Sequence, residues 1–234
     1  MQGREPIRGI VFDKDGTLFD FQASWGAWAA DFVTGLAEGD PGRAAALAEA
    51  LDFDLGARRF RPESAVIAGT AEVIVEAVLA VRPDLDPPGL RRLVLASSET
   101  VPQVPAAPLR PLLDRLRAAG IALGVATNDG EAPARAHLER AGVLDRFDFV
   151  AGYDSGFGAK PGTGMLDAFR RATGLEAAAC AMVGDSLHDL ASGRAAGMAT
   201  VGVLTGPAGA ADLAPHADVV LPDIGGLPGW LRIA

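Results

Sequence analysis

Asp13 and Asp15 stand two residues apart at the end of the apolar run Ile10-Val11-Phe12, and in a near-extended chain that spacing turns both carboxylates toward one site. Three further segments place polar side chains just after an apolar run. Thr127 and Asn128 follow Ile121 to Ala126, Lys160 lies beyond Phe147 to Gly152, and Asp185 with Asp189 follows Ala179 to Val183. Carboxylates gathered at one edge repel one another and shift their pKa values. A divalent cation relieves that repulsion, and oxygen ligands select a hard ion such as magnesium. Asp13, Asp15, Asp185 and Asp189 are therefore the candidate metal set.

Such a set suits chemistry on a phosphate ester, where the attacking group meets a dianion and catalysis is mainly charge neutralisation and positioning. Asp13, last in its run, is the natural nucleophile and would become an aspartyl-phosphate. Asp15 could protonate the leaving alcohol and later activate water. Thr127, Asn128 and the start of the following helix offer a hydroxyl and amides to phosphoryl oxygens, and Lys160 offers a point charge. Each segment alone has a blander reading. Asp-Lys-Asp-Gly could be a turn, Thr-Asn-Asp-Gly a helix cap, Lys160 a surface lysine, and Gly-Asp-Ser-Leu-His-Asp a helix start capped by Ser186 or Asp185. Their joint order, each after an expected strand, is what carries the signal. His188 receives no role.

The elements that must position these groups alternate. Strands are expected at 8–12, 121–126, 147–152, 179–183, 199–204 and 218–221, with helices at 109–119, 132–141, 165–173 and 187–196. Alternation of this kind predicts a parallel sheet with helices on both faces, whose ligands bind outside the carboxyl ends of the strands. Between the first strand and Pro108 the pattern changes: helices are expected at 21–36, 41–51, 71–81 and 88–98, with a small hairpin somewhere in 53–66. The predicted organisation is an α/β, Rossmann-like parallel sheet core, residues 1–18 and 104–234, with an inserted small helical cap domain, residues 19–103.

The four segments resemble the motifs of the haloacid dehalogenase superfamily: Asp13-Lys14-Asp15-Gly16-Thr17, Thr127-Asn128, Lys160-Pro161 and Gly184-Asp185-Ser186-Leu187-His188-Asp189. The resemblance spans the α/β part nearly end to end, and the helical insertion is similar to the small cap of phosphoglycolate phosphatase-like members. It implies a magnesium-dependent phosphatase acting on a small phosphorylated metabolite, with phosphoglycolate as a candidate. Asp13 would be nucleophile and metal ligand, and Asp15 acid/base and a ligand through its backbone carbonyl. Thr127 would bind the phosphoryl group, Lys160 would stabilise it, Asp185 would hold Mg2+, and Asp189 would complete or support the metal shell. Two positions depart from the family pattern. Lys14 replaces a hydrophobic or small residue, with its side chain expected to point away from the site, and Gly162-Thr163-Gly164 stands where relatives often show a second proline.

Related chemistries are separated unevenly. Dehalogenases of this superfamily lack the second aspartate of the first motif, so Asp15 argues against one. A sugar phosphomutase shares all four motifs and differs mainly in the cap. A non-catalytic binding protein would not be expected to keep every chemical position filled. In the cap, the spacing of Trp25, Trp28 and Phe32 suits a packed core face better than a substrate platform. Arg58, Arg59 and Arg61 could meet a substrate carboxylate or form a solvated basic turn.

The 234 residues carry 30 Asp plus Glu against 21 Lys plus Arg, a formal net charge of −9, and no segment concentrates basic residues as a nucleic-acid footprint would. Cys180 is the only cysteine, which precludes an intrachain disulfide and suits a reducing compartment; its apolar neighbours predict an inert thiol. The opening Met1-Gln2-Gly3-Arg4-Glu5 lacks a leader pattern, and apolar runs fall short of a membrane span. The expectation is a cytoplasmic protein with neither a nucleic-acid nor a membrane partner. Oligomeric state is not legible.

Overall fold

The computed structural model describes residues 6–62, 64–67 and 69–233. Met1 to Glu5, read above for a leader, lie outside the described residues. In chain order the elements are β1 (Gly9–Phe12), α1 (Phe21–Ala37), α2 (Pro41–Ala50), β2 (Phe53–Asp54), β3 (Arg59–Phe60), α3 (Ala71–Val81) and α4 (Pro87–Glu99). There follow α5 (Leu109–Ala118), β4 (Ala122–Ala126), α6 (Glu131–Arg140), β5 (Phe149–Ala151), α7 (Gly164–Thr173) and β6 (Cys180–Gly184). The chain closes with α8 (Leu187–Ala195), β7 (Ala199–Val203), α9 (Ala210–Leu213), β8 (Val219–Leu221) and α10 (Leu227–Leu231).

Among the described residues, six strands form one sheet in the order β5-β4-β1-β6-β7-β8, every pairing parallel. β1 is central and fully buried, which is why it reads as a continuous apolar run rather than an alternating one. Its side chains still divide by parity. Ile10 and Phe12 join the cluster under α5, with Leu113 and Leu116, whereas Val11 joins a second cluster with Met165 and Phe169 of α7. The sheet is thus covered on both faces, as a parallel sheet requires. Cys180 is buried in the second cluster, and burial pushes its thiol up to about 11, so it is inert at neutral pH.

The helical segment between β1 and α5 has its own apolar cluster, running from Phe21 to Val101. Three of its helices start on aspartate caps: Asp20 accepts from the Ala23 amide at 2.8 Å, Asp40 from Gly42 at 2.8 Å, and Asp86 from Gly89 at 2.8 Å. The expected hairpin is the short antiparallel pair β2–β3. The two chain connections to the sheet lie side by side: Asp20 donates its amide to Val104 at 2.8 Å, and Ala106 donates to Leu18 at 3.0 Å. No helix among the described residues is long and apolar enough to cross a membrane.

Candidate active site

β1 ends at Asp13, whose amide donates to the Val183 carbonyl of β6 at 2.8 Å and so fixes the residue at the carboxyl rim of the sheet. The chain then turns. The Lys14 carbonyl accepts from the Leu18 and Phe19 amides at 2.9 and 3.1 Å, and Gly16 has a φ of 84°. A Cβ at Gly16 would overlap the Asp185 carboxylate, so both the left-handed backbone and the close approach require glycine. Thr17 donates its hydroxyl to Asp185 Oδ1 at 3.1 Å, joining the first motif to the fourth.

Lys160 reaches this rim from the loop after β5. Its Nζ lies 2.5 Å from Asp13 Oδ1 and 2.6 Å from Asp189 Oδ1, and all three residues are buried. Burial alone would lower the Lys160 ammonium, but the Asp13 and Asp189 carboxylates overturn that and hold it above its ordinary value. Burial pushes the Asp13 carboxyl up to about 7 despite Lys160, and burial together with Asp189 and Asp13 raises Asp185 well above the carboxylate range. Asp189 is anchored in the first turn of α8, where the Ser186 amide and hydroxyl donate to its Oδ2 at 3.0 and 2.7 Å. That reciprocal cap explains the Ser-x-x-Asp spacing.

Thr127 and Asn128 follow β4 and are buried beside the same rim. The Thr127 hydroxyl accepts from the Asp129 amide at 3.1 Å, which leaves its proton for a ligand. Asn128 grips the peptide of Lys160: its Oδ1 accepts from the Lys160 amide at 2.8 Å and its Nδ2 donates to the Lys160 carbonyl at 3.1 Å. Asn128 therefore also acts on Lys160, a task the sequence did not reveal.

The first motif holds a second buried cation. Lys14 does not line the cavity, in keeping with its expected direction, yet its Nζ lies 2.7 Å from Asp15 Oδ2 and 3.0 Å from Asp129 Oδ2. It also donates to His137 Nδ1 at 3.0 Å. Because an ammonium only donates, Nδ1 must accept, so the ring proton sits on Nε2 and is given to the Ser98 carbonyl at 2.9 Å. Burial and then Lys14 hold His137 down to about 4, keeping the ring neutral at pH 7. Trp25 completes the shell by donating its indole N–H to Asp15 Oδ1 at 2.7 Å. Asp129, His137 and Trp25 were missed as partners. The signal available was Lys14 itself, since a lysine in a buried turn needs acceptors; nothing local marks His137.

Removing Lys14 strands two carboxylates. Lys14→Met is expected to lower the unfolding free energy by about 3–5 kcal/mol, the cost of breaking a buried pair from one side. Urea denaturation at pH 7 measures it, and a loss below about 0.5 kcal/mol would show that the Lys14 contacts do not hold the turn together.

The rim fits a cation. Oxygens of Asp13, Asp185 and Asp189 lie within 4.8 Å of one another, and Lys160 is one positive charge among the three. Among the described residues no ammonium or guanidinium pairs with Asp185, although its carboxylate is buried and crowded by Gly16 and Gly206. An all-oxygen donor set with excess negative charge suits a hard dication such as Mg2+. The Asp15 side chain is turned instead toward Trp25 and Lys14.

A cavity open to solvent runs from this rim to the helical segment. Asp13, Asp15, Thr127, Asn128, Lys160 and Asp185 line it. Trp25 and Trp28 line it too while also belonging to the apolar cluster of the helices, so the expected core face is at the same time a cavity wall. Phe32 stacks on Trp28 at 4.9 Å behind it. Arg58, Arg59 and Arg61 are exposed and lie outside the lining, with Arg61 paired to Glu49 at 2.8 Å. They form the solvated basic turn.

Residues 7–197 match the haloacid dehalogenase-like hydrolase family. A phosphoglycolate phosphatase of Rhodospirillum rubrum is 40% identical over 120 residues, 51% of this chain and 50% of that protein, so the chain spans about half the length of that relative in the match. A phosphoglycolate phosphatase of Chromobacterium violaceum is 32% identical over 88% of this chain and 89% of its own length. The crystal structure of a predicted phosphoglycolate phosphatase from Haemophilus somnus shares the fold with a TM-score of 0.74 at 18% identity, covering 97% of this chain and 99% of that one.

Proposed function

The chain belongs to the haloacid dehalogenase-like hydrolases, and on that premise we propose that it is a phosphatase that hydrolyses a small phosphate monoester through a phosphorylated Asp13. The observation that carries the reading is the meeting of Asp13, Lys160 and Asp189 within 2.6 Å contacts at the carboxyl rim, with Asp185 and Thr127 lining the same cavity. Residues 19–103 act as the cap over that rim. Phosphoglycolate enters as a candidate ester through the names of the relatives alone. A cytoplasmic setting rests on the single buried cysteine.

Asp13 and Asp185, with Asp189 in support, would hold Mg2+, which would supply charge neutralisation at the phosphoryl oxygens. The protein does the rest. An Asp13 oxygen attacks phosphorus and the P–O bond to the alcohol breaks, while Asp15 gives that oxygen a proton. Water, its proton taken by Asp15, then attacks phosphorus, releasing phosphate and restoring the Asp13 carboxylate. Thr127 donates its hydroxyl to a phosphoryl oxygen. Lys160, its peptide gripped by Asn128, balances the charge that Asp13 passes to the phosphoryl group. The wholly enclosed Lys14 keeps the Asp15 turn in place throughout.

Chelation is expected to lower phosphate release from p-nitrophenyl phosphate by about 10³-fold or more, with recovery on adding Mg2+. The same ion should raise the Tm of the wild-type protein, because it binds only the folded carboxylate cluster. Full activity in chelator would remove the metal from this account.

A further inference from the structure

The cavity wall facing the phosphoryl site is aromatic and aliphatic. Phe21, Trp25, Trp28 and Phe60 form it with Ile67 and Ile74, each ring braced by the next: Phe21 lies 5.5 Å from Phe60 and 6.5 Å from Trp25, and Trp25 lies 5.3 Å from Trp28. Its polar atoms are already engaged. Trp25 Nε1 donates to Asp15, Trp28 Nε1 donates to Ser97 at 3.0 Å, and Ser98 donates to the Leu95 carbonyl at 2.8 Å.

The Lys14 ammonium lies 5.4 Å over the Trp25 ring, but it is outside the lining and is already held by Asp15, Asp129 and His137. Lys160 is the only Lys or Arg among the described lining residues, and it is committed to the rim. The exposed His188 sits on the core side, in the first turn of α8. The start of α3, at Thr70 and Ala71, also lines the cavity, and a helix start can attract an anion. Glu72 already supplies one there. Its carboxylate is paired with Arg91 at 2.7 Å and accepts from the Tyr153 hydroxyl at 3.3 Å. A substrate carboxylate placed here would lose its hydration against rings and beside an acidic rim, without a partner to replace the water.

We propose that the ester cleaved by this protein carries a bulky, uncharged, apolar alcohol, aromatic by preference, seated on the Trp25–Trp28 face; the inference rests on the phosphatase reading above. The rings that line the cavity offer offset or edge-on packing to an aromatic alcohol.

The test compares 2-phenylethyl phosphate, ethyl phosphate and phosphoglycolate with Mg2+ present, and p-nitrophenyl phosphate as a reactive control. The expected kcat/KM for 2-phenylethyl phosphate exceeds that for either of the other two alkyl esters by about tenfold or more, a discrimination within the range of an apolar pocket. Trp28→Ala is expected to reduce the phenylethyl-to-ethyl ratio by about tenfold. If that variant does not fold, the wild-type ratios decide. Phosphoglycolate cleaved faster than 2-phenylethyl phosphate overturns the proposal and leaves the phosphatase reading standing. No phosphate released from any ester, the reactive control included, overturns the phosphatase reading itself.

Discussion

Asp13→Asn is expected to lower kcat for phosphate release by on the order of 10⁴–10⁶-fold, the scale of losing a nucleophile whose partners remain in place. The amide has nearly the shape of the carboxylate but no charge to attack with. The surroundings should survive the change. The Asp13 amide still bonds Val183, and Lys160 keeps Asp189 at 2.6 Å, so neither the strand end nor the lysine is stranded. Steady-state release from p-nitrophenyl phosphate, alongside trapping of phosphoryl-enzyme in a quenched turnover, measures the effect. Activity within tenfold of wild type, or a trapped phosphoryl group in the variant, would sink Asp13 as nucleophile.

The same substitution has an opposite effect on stability. The folded-state Asp13 is raised from 3.8 to about 7, so the folded protein holds its proton more tightly than the unfolded chain does. The stability linked to that proton is fully present below about pH 4 and is lost as pH rises toward 7. The neutral side-chain amide of the Asp13→Asn variant does not titrate and so removes that loss. At pH 8 without metal the variant should therefore melt higher than wild type, and the gap should close toward pH 4.

The core was legible because its signals are local. β1 is an unbroken apolar run ending at a charge, and the Gly-Asp-Ser-Leu-His-Asp segment contains its own cap, so strand end and helix start were both written in consecutive residues. The convergence of Asp13, Lys160, Asp185 and Asp189 followed from one rule, that parallel strands present their carboxyl ends on one side. What lay beyond reach were partnerships across the chain. Lys14 meets His137 across 123 positions, and Asn128 meets Lys160 across 32. No spacing announces such pairs. The aromatic wall was legible in part: the core face was expected, but Trp25 and Trp28 are core and cavity at once, and a helical periodicity reports burial without saying whether the far side faces a neighbour or a ligand. The basic run near Arg59 left two readings open, since charge in the sequence says nothing of direction, and the structure shows the solvated turn.

Asp15→Asn is the second large effect, and its value lies in how the loss depends on the ester. Proton delivery in the transition state contributes about 10²–10⁴-fold, and only where the leaving oxygen is basic. Alkyl phosphates should therefore lose about that factor in kcat. p-Nitrophenyl phosphate, whose leaving oxygen departs without a proton, should lose about tenfold or less in its first step. Asparagine keeps an oxygen for the Trp25 indole, and Lys14 keeps Asp129 and His137, so the turn retains most of its bonds. A structural collapse would instead reduce both esters alike. Equal losses, with unchanged thermal stability, would assign Asp15 to holding Lys14 and Trp25 rather than to moving a proton. An unequal loss makes the Lys14–Trp25 clamp the device that aims the acid, and places the aromatic wall one hydrogen bond away from the leaving group it is proposed to select.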